Sequence, residues 1–275
     1  MDLQELYHLI DLQPEIVQKL EMTGSKMDLS QIDPYLEQML TMETTESAYS
    51  YLSTLFQEDS DNLKMLYCQM ECARRIFEKY QEKNIPETIF RDTMKCFTRF
   101  VDECDQKNGR MFFDRGWWTY RQISMDLFRI GELEYQFQKH EGENVIDLHI
   151  PSDADLSAAA VNDSFKQADH FFREYYSDYQ YEKYTCNSWL MSPALKPLLS
   201  ENSKILSFQK RFTVIQENKE DKDFIEWLFQ VPVNTDYEKL PTKTSLQRKA
   251  KELLLDGGTI GSAFGIMWKK PRQQY

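Results

Sequence analysis

The chain has 275 residues, 41% of them hydrophobic, with 17 Phe and 15 Tyr, and a formal charge of −12. That length accommodates one or two domains with a large core, and that aromatic content argues against disorder. The acidic balance argues against a nucleic-acid or anionic-membrane surface, because phosphate backbones need clustered Lys and Arg.

The first stretch, "MDLQELYHLI", carries Asp2 and Glu5 where a signal peptide would carry basic residues. No apolar run approaches the ~18 residues that span a bilayer, and a cytoplasmic location is expected. The helical signals begin at once. "DLQPEIVQKLEMTG" places Pro14 in a first turn and Gly24 past the end, and "DPYLEQML" repeats the device with Asp33 as cap. Leu63, Leu66, Tyr67, Met70, Ala73, Phe77 and Tyr80 then recur at three- and four-residue steps, as do Phe90, Met94, Phe97 and Val101. These stripes predict amphipathic helices and no strand over residues 1–108. The polar "QKNGR" at 106–110 is the expected boundary, giving domains 1–108 and 109–275.

"DRGWWTYRQISM" reads as one more helix. "DLFRIGELEYQF" then alternates like a strand, but its apolar parity flips at Gly131, which predicts one strand over 127–137 with a bulge there, or else a strand buried on both faces. A second strand, 144–150, follows across a polar connection containing Gly142, so the two should pair as an antiparallel hairpin. Ser157 is a good N-cap for a long helix carrying Val161, Phe165, Ala168, Phe172 and Tyr175. Further strands are expected over 184–190, 212–217 and 260–268, separated by helices. The fold class is α+β, an all-helical N-terminal domain followed by a mixed α/β sheet domain.

Five cysteines, at 68, 72, 96, 104 and 186, form an odd, scattered set of reduced structural thiols. With four histidines and no His-x-x-x-His or Cys-x-x-Cys pair, no bound metal is expected.

The order hairpin, long helix, strand, helix, strand and final strand resembles the latter part of the GNAT acyltransferase superfamily. More specifically, "RGWWTYRQISMDLFRIGELEYQ", "DLHIPSDADLS" and "CNSWLMSPALKPLLSENSKILSFQKRF" look like a bacterial family of GNAT-like acyltransferases. In that family a helical N-terminal domain precedes a GNAT-like C-terminal domain, and the resemblance covers nearly the whole chain. It implies acyl transfer from an acyl-CoA cosubstrate to an amine, with a small-molecule or peptide acceptor. The acidic surface suits a cationic one.

In the superfamily an Arg/Gln-x-x-Gly-x-Gly/Ala turn presents backbone N–H groups to the cofactor pyrophosphate. Here "SDADLSAAA" has neither the basic residue nor the glycine, and Asp153 and Asp155 oppose an anion. What remains is a helix terminus, with Ser157, Ala158, Ala159 and Ala160 as the cofactor-binding positions and Ile150 beside the thioester. His149, at the end of the strand and on a face with Asp147, is the expected general base, with Glu132 and Glu134 as alternatives. The superfamily often uses a tyrosine as acid after the strand equivalent to "KYTCNSWLM". No tyrosine follows here until Tyr237, and Ser188 is the substitute expected to act through water. Cys186 and Trp189 read as packing residues. The alternatives are a non-catalytic binding or regulatory protein that has lost the pyrophosphate loop, and hydrolysis of a thioester in the same cleft.

Overall fold

Asp2 opens the first helix. Its carboxylate accepts the N–H of Glu5, whose side chain reaches back to the N–H of Asp2, so two backbone donors are satisfied reciprocally. In the computed structural model, which describes residues 1–269, the chain divides into two units, Met1–Ile130 and Gly131–Tyr275.

The first unit is helical until its last residues. Its helices are α1 (Leu3–Leu9), α2 (Pro14–Gly24), α3 (Asp33–Met39), α4 (Thr45–Leu55), α5 (Leu63–Glu82), α6 (Glu87–Met94), α7 (Cys96–Asn108) and α8 (Gly116–Ile123). Two cap expectations shift: Ile32, not Asp33, caps α3, and Gly24 closes α2 from inside. The expected stripe on α5 is the one it buries, with Leu66, Met70, Ala73 and Tyr80 fully enclosed. Phe90 of α6 packs between Phe77 and Tyr80 with ring centroids at 4.8 and 5.2 Å. Such tilted and edge-on contacts add about 0.5–1.5 kcal/mol each beyond the area they bury. The buried polar Gln69 of α5 is satisfied across the unit. It donates to the Gly116 carbonyl at 2.9 Å and accepts from Thr119 at 2.5 Å, so α8 is tied to α5 without an orphaned amide. Strand β1 (Leu127–Ile130) ends the unit, and its Arg129 N–H donates to Thr93 on α6 at 3.0 Å.

The second unit begins at Gly131. The single strand expected over 127–137 is two: β1 stops at Ile130 and β2 (Leu133–His140) begins after a turn at Gly131 and Glu132. The parity flip is therefore a chain break in the pleat, not a bulge. Gly131 has φ +60°, and a Cβ there would lie 3.1 Å from the Ser164 Cα, so both backbone conformation and space require glycine. β2 pairs antiparallel with β3 (Glu143–His149) around Glu141 and Gly142, both at positive φ, the geometry of a type I′ turn whose twist suits a hairpin.

Helix α9 (Ala158–Tyr175) carries the chain across to β4 (Lys183–Ser188), which runs parallel to β3. β4 ends two residues earlier than expected. Ser188 turns to cap a 3-10 turn, Trp189–Met191, and Trp189 packs against a cluster of Leu195, Phe224, Phe229 and Leu254. Helix α10 (Lys204–Gln209), the edge strand β5 (Thr213–Asn218), α11 (Asp223–Phe229), α12 (Ser245–Leu255) and β6 (Ser262–Trp268) complete the unit. β6 is antiparallel to both β4 and β5, so the strands lie side by side as β2-β3-β4-β6-β5 and the sheet is mixed.

Candidate active site

Side chains alternate along a strand and cross-strand partners share a face. Glu134, Gln136, Asp147, His149 and Thr185 therefore lie on one side of the sheet, and Tyr135, Ile146, Leu148, Tyr184 and Cys186 on the other. Helix α9 takes the second side: Tyr135 meets the rings of Phe165 and Phe172 and hydrogen-bonds the Ser164 hydroxyl at 2.8 Å.

The parallel ladder joins Ile146 to Tyr184 and Asp147 to Thr185, after which β3 runs on to His149 and β4 to Ser188. On the side opposite α9, the end of this ladder carries a connected polar group. Thr185 Oγ1 donates to Asp147 Oδ1 at 2.5 Å, and Asp147 Oδ2 lies 3.6 Å from His149 Nε2. The same nitrogen is 2.9 Å from Gln136 Oε1. Glu134 is the cross-strand partner of His149 and is 2% exposed. The His149 side chain keeps 20% of its surface open. The structure thus brings His149 and Glu134 together.

Ser188 is not brought to them. Alternation puts it on the α9 side, and its hydroxyl accepts the Leu190 N–H at 3.1 Å as a cap. Glu132 stands in the turn before β2, where its carboxylate accepts the Asp155 N–H at 2.8 Å. Cys186 is fully buried, and burial, reinforced by the Asp147 charge, pushes its thiol well above the usual range. A thiol held protonated is no nucleophile.

Beyond Ile150 the turn closes on itself. The Asp155 carboxylate accepts from Lys204 Nζ at 2.7 Å and from the N–H and hydroxyl of Ser157, both at 2.9 Å. Lys204 first, then Ser157, hold this exposed carboxyl down to about 2. Ser157 caps α9 by accepting the Ala160 N–H at 3.4 Å. Ala158 and Ala159 head the helix, where N–H groups have no intrahelical acceptor.

Two cations beside this turn were not singled out from the sequence. Arg211 donates to Asn162 Oδ1 at 2.7 Å and to the Ala158 carbonyl at 3.4 Å, so a guanidinium stands at the first turn of α9. Lys204 stands on the other side of the turn through Asp155. Their signal was the basic content of "KILSFQKRF" in an otherwise acidic chain. Among the described residues no group of three or more His, Cys, Asp or Glu could hold a metal ion, and no helix is long and apolar enough to cross a membrane.

The C-terminal portion matches the pattern of the GNAT-like C-terminal domain over residues 127–267, and the N-terminal portion that of the N-acyltransferase N-terminal domain over residues 1–125. Among solved structures, an acyltransferase in complex with decanoyl-CoA and teicoplanin superposes with a TM-score of 0.78 at 20% identity, covering 96% of this chain and 87% of that one. A mutant acyltransferase in complex with octanoyl-CoA gives a TM-score of 0.79 at 19% identity, covering 97% and 87%. An acyltransferase in complex with CoA and 10C-teicoplanin gives 0.78 at 20%, covering 96% and 87%. No curated protein sequence matches the chain. At such identities the structural likeness speaks for the fold, and the two sequence patterns, which together account for almost the whole length, speak for descent. The chain belongs to the acyltransferase family in which an N-acyltransferase N-terminal domain is followed by a GNAT-like C-terminal domain.

Proposed function

We propose that the protein is an acyl-CoA-dependent N-acyltransferase that moves an acyl group from the CoA thioester to an amine. The observation that carries this reading is the position of His149: a part-open imidazole at the C-terminal end of β3, where the parallel ladder with β4 has ended, one residue before the turn into α9. The acyltransferases with the same fold hold CoA or acyl-CoA in their structures.

In this reading the CoA pyrophosphate lies at the start of α9, over the N–H groups of Ala158, Ala159 and Ala160 beside the Ser157 cap, with Arg211 and Lys204 replacing the absent loop cation. The backbone at Ile150 lies along the thioester. The acceptor reaches the site as an ammonium ion. His149 takes one of its protons, and the nitrogen lone pair attacks the thioester carbonyl carbon. The tetrahedral intermediate then collapses, the C–S bond breaks, and its electron pair leaves on sulfur. The second nitrogen proton ends on that thiolate, so amide and free CoA thiol form and His149 returns its proton to solvent. Glu134, the buried partner opposite His149, is the alternative base. Ser188, engaged as a cap, is left without a part in this scheme. The acceptor class is a small molecule or peptide carrying a primary amine, cationic before it reacts, and drawn by the acidic chain.

A second reading has its own observation. Asp155 already fills the hydrogen-bonding capacity of Ser157 and neutralises Lys204, which is what a turn that no longer receives an anion would do. That turn fits a binding or regulatory protein on the same fold. Titration calorimetry with CoA and octanoyl-CoA, followed by thiol release in the presence of primary amines, separates the two. The enzyme reading expects binding and His149-dependent thiol release. If neither ligand binds at millimolar concentration, the regulatory reading takes its place.

A further inference from the structure

We infer that Asp147, itself fixed by Thr185, is a positioning residue that strengthens His149 as a base, on a ring whose Nε2 proton Gln136 already holds; this deepens the reading of His149 given above. Two acceptors face one ring nitrogen. Gln136 Oε1 lies 2.9 Å from Nε2 and Asp147 Oδ2 lies 3.6 Å from it. Both accept and neither gives, so the resident ring proton of the neutral imidazole sits on Nε2.

Asp147 adds charge to this geometry. The separation of 3.6 Å is too long for a hydrogen bond but is close for an ion pair, so the carboxylate interacts most strongly with the imidazolium that forms when His149 takes a proton. A carboxylate at the end of a flexible side chain would hold that place poorly. Thr185 supplies the restraint: it is 1% exposed, sits opposite Asp147 in the last rung of the β3–β4 ladder, and donates to Oδ1 at 2.5 Å. One carboxylate oxygen is anchored to the neighbouring strand while the other faces the ring. The arrangement follows the logic of a base paired with a partly buried acid, built here from one strand and its parallel neighbour.

Among the described residues, the strands place three titratable side chains at neighbouring register positions. Asp147 lies two residues back on β3, Glu134 is directly opposite on β2, and the Cys186 thiol is buried on the far side of β4 and held protonated. Glu134 is the rival for the same electrostatic role, and the test must include it.

The chain has four histidines, so selective isotope labelling of the full-length protein gives few ring signals, and His149→Gln identifies the one that matters. The wild-type signal should titrate as the Nε2–H tautomer. In Asp147→Asn its midpoint should fall by about one pH unit, the size of effect expected from removing a close opposite charge. Thr185→Val, which keeps shape and removes the anchor, should lower it in the same direction by less. Glu134→Gln should move it least. An unchanged midpoint in both Asp147→Asn and Thr185→Val overturns the inference, as does a larger shift from Glu134→Gln or a neutral ring protonated on Nδ1. The base reading fails separately: if His149→Gln keeps wild-type thiol release from octanoyl-CoA, His149 is no base whatever its titration shows.

Discussion

The two faces of β2, β3 and β4 are made by the same backbone and differ in nearly everything else. Toward α9 the strands present Tyr135, Ile146, Leu148 and Cys186, each fully buried, and the polar contacts of Tyr135 with Ser164 and of Tyr184 with Tyr181 pair hydroxyls. On the reverse side, at the C-terminal end of β3, they present Glu134, Gln136, Asp147, His149 and Thr185. Burying apolar area stabilises by roughly 25 cal/mol per Å² and asks only for shape. Burying polar groups costs about 1–3 kcal/mol for each one left unsatisfied, so the reverse face relies on bonds such as Thr185 to Asp147 and His149 to Gln136. The first face can be read as packing. The second is a cost that packing does not explain, and it coincides with the end of a parallel strand, where α/β sheets place their chemistry.

Substitutions on either face can break that contrast. His149→Gln should lower acyl transfer by about 10²–10⁴-fold, the usual contribution of a positioned acid–base group, while moving the urea midpoint little. Rate assays and denaturation on the same preparation check both halves. Leu148→Ala, one residue away on the other face, should do the reverse, with about 2–5 kcal/mol lost from unfolding and residual turnover per folded molecule retained. If Leu148→Ala abolished turnover while folded, or His149→Gln unfolded the chain, the division between faces would be wrong. A smaller effect tests the turn. Arg211→Ala should weaken CoA binding by about tenfold, the order of one charge-assisted hydrogen bond, with a shallower salt dependence. Calorimetry at two ionic strengths reads it.

The smallest effect sharpens the comparison through pH. Asp155 is held at about 2, below an unfolded carboxylate near 4, so its bonds to Lys204 and Ser157 stabilise the turn above pH ~4. That contribution is lost as pH falls from about 4 through about 2. Asp155→Asn should remove the acid-dependent loss in this window, measured as unfolding midpoints between pH 2 and 5. A wild-type slope retained in the variant would assign the loss to other carboxylates.

Much of this was legible because it is local. The β2–β3 hairpin shows in alternation on both sides of Gly142, and Ser157 marks the start of α9 because a cap acts within three residues. The break at Gly131 was visible but ambiguous, since a bulge and a two-residue turn both reverse strand parity. His149 and Asp147 share a face by spacing alone, so that part of the site could be seen. What closed it could not. Thr185 reaches Asp147 through a parallel pairing 38 residues long, and Lys204 meets Asp155 from 49 residues away. The cap at Ser188 was not legible either, because it is made by the backbone after it, which leaves the strand for a 3-10 turn.

Arg211 also has a thermodynamic consequence. It stands at the positive end of α9, where a cation meets like charge, and burial lowers its tendency to hold its proton. The chain alone carries that repulsion as a standing handicap, and an anion settling between guanidinium and helix removes it. By mass action, a ligand at a hundred times its dissociation constant raises unfolding free energy by about 2.7 kcal/mol. If CoA binds as proposed, the melting temperature of the protein becomes a gauge of how full this corner is, readable before any acceptor has been found.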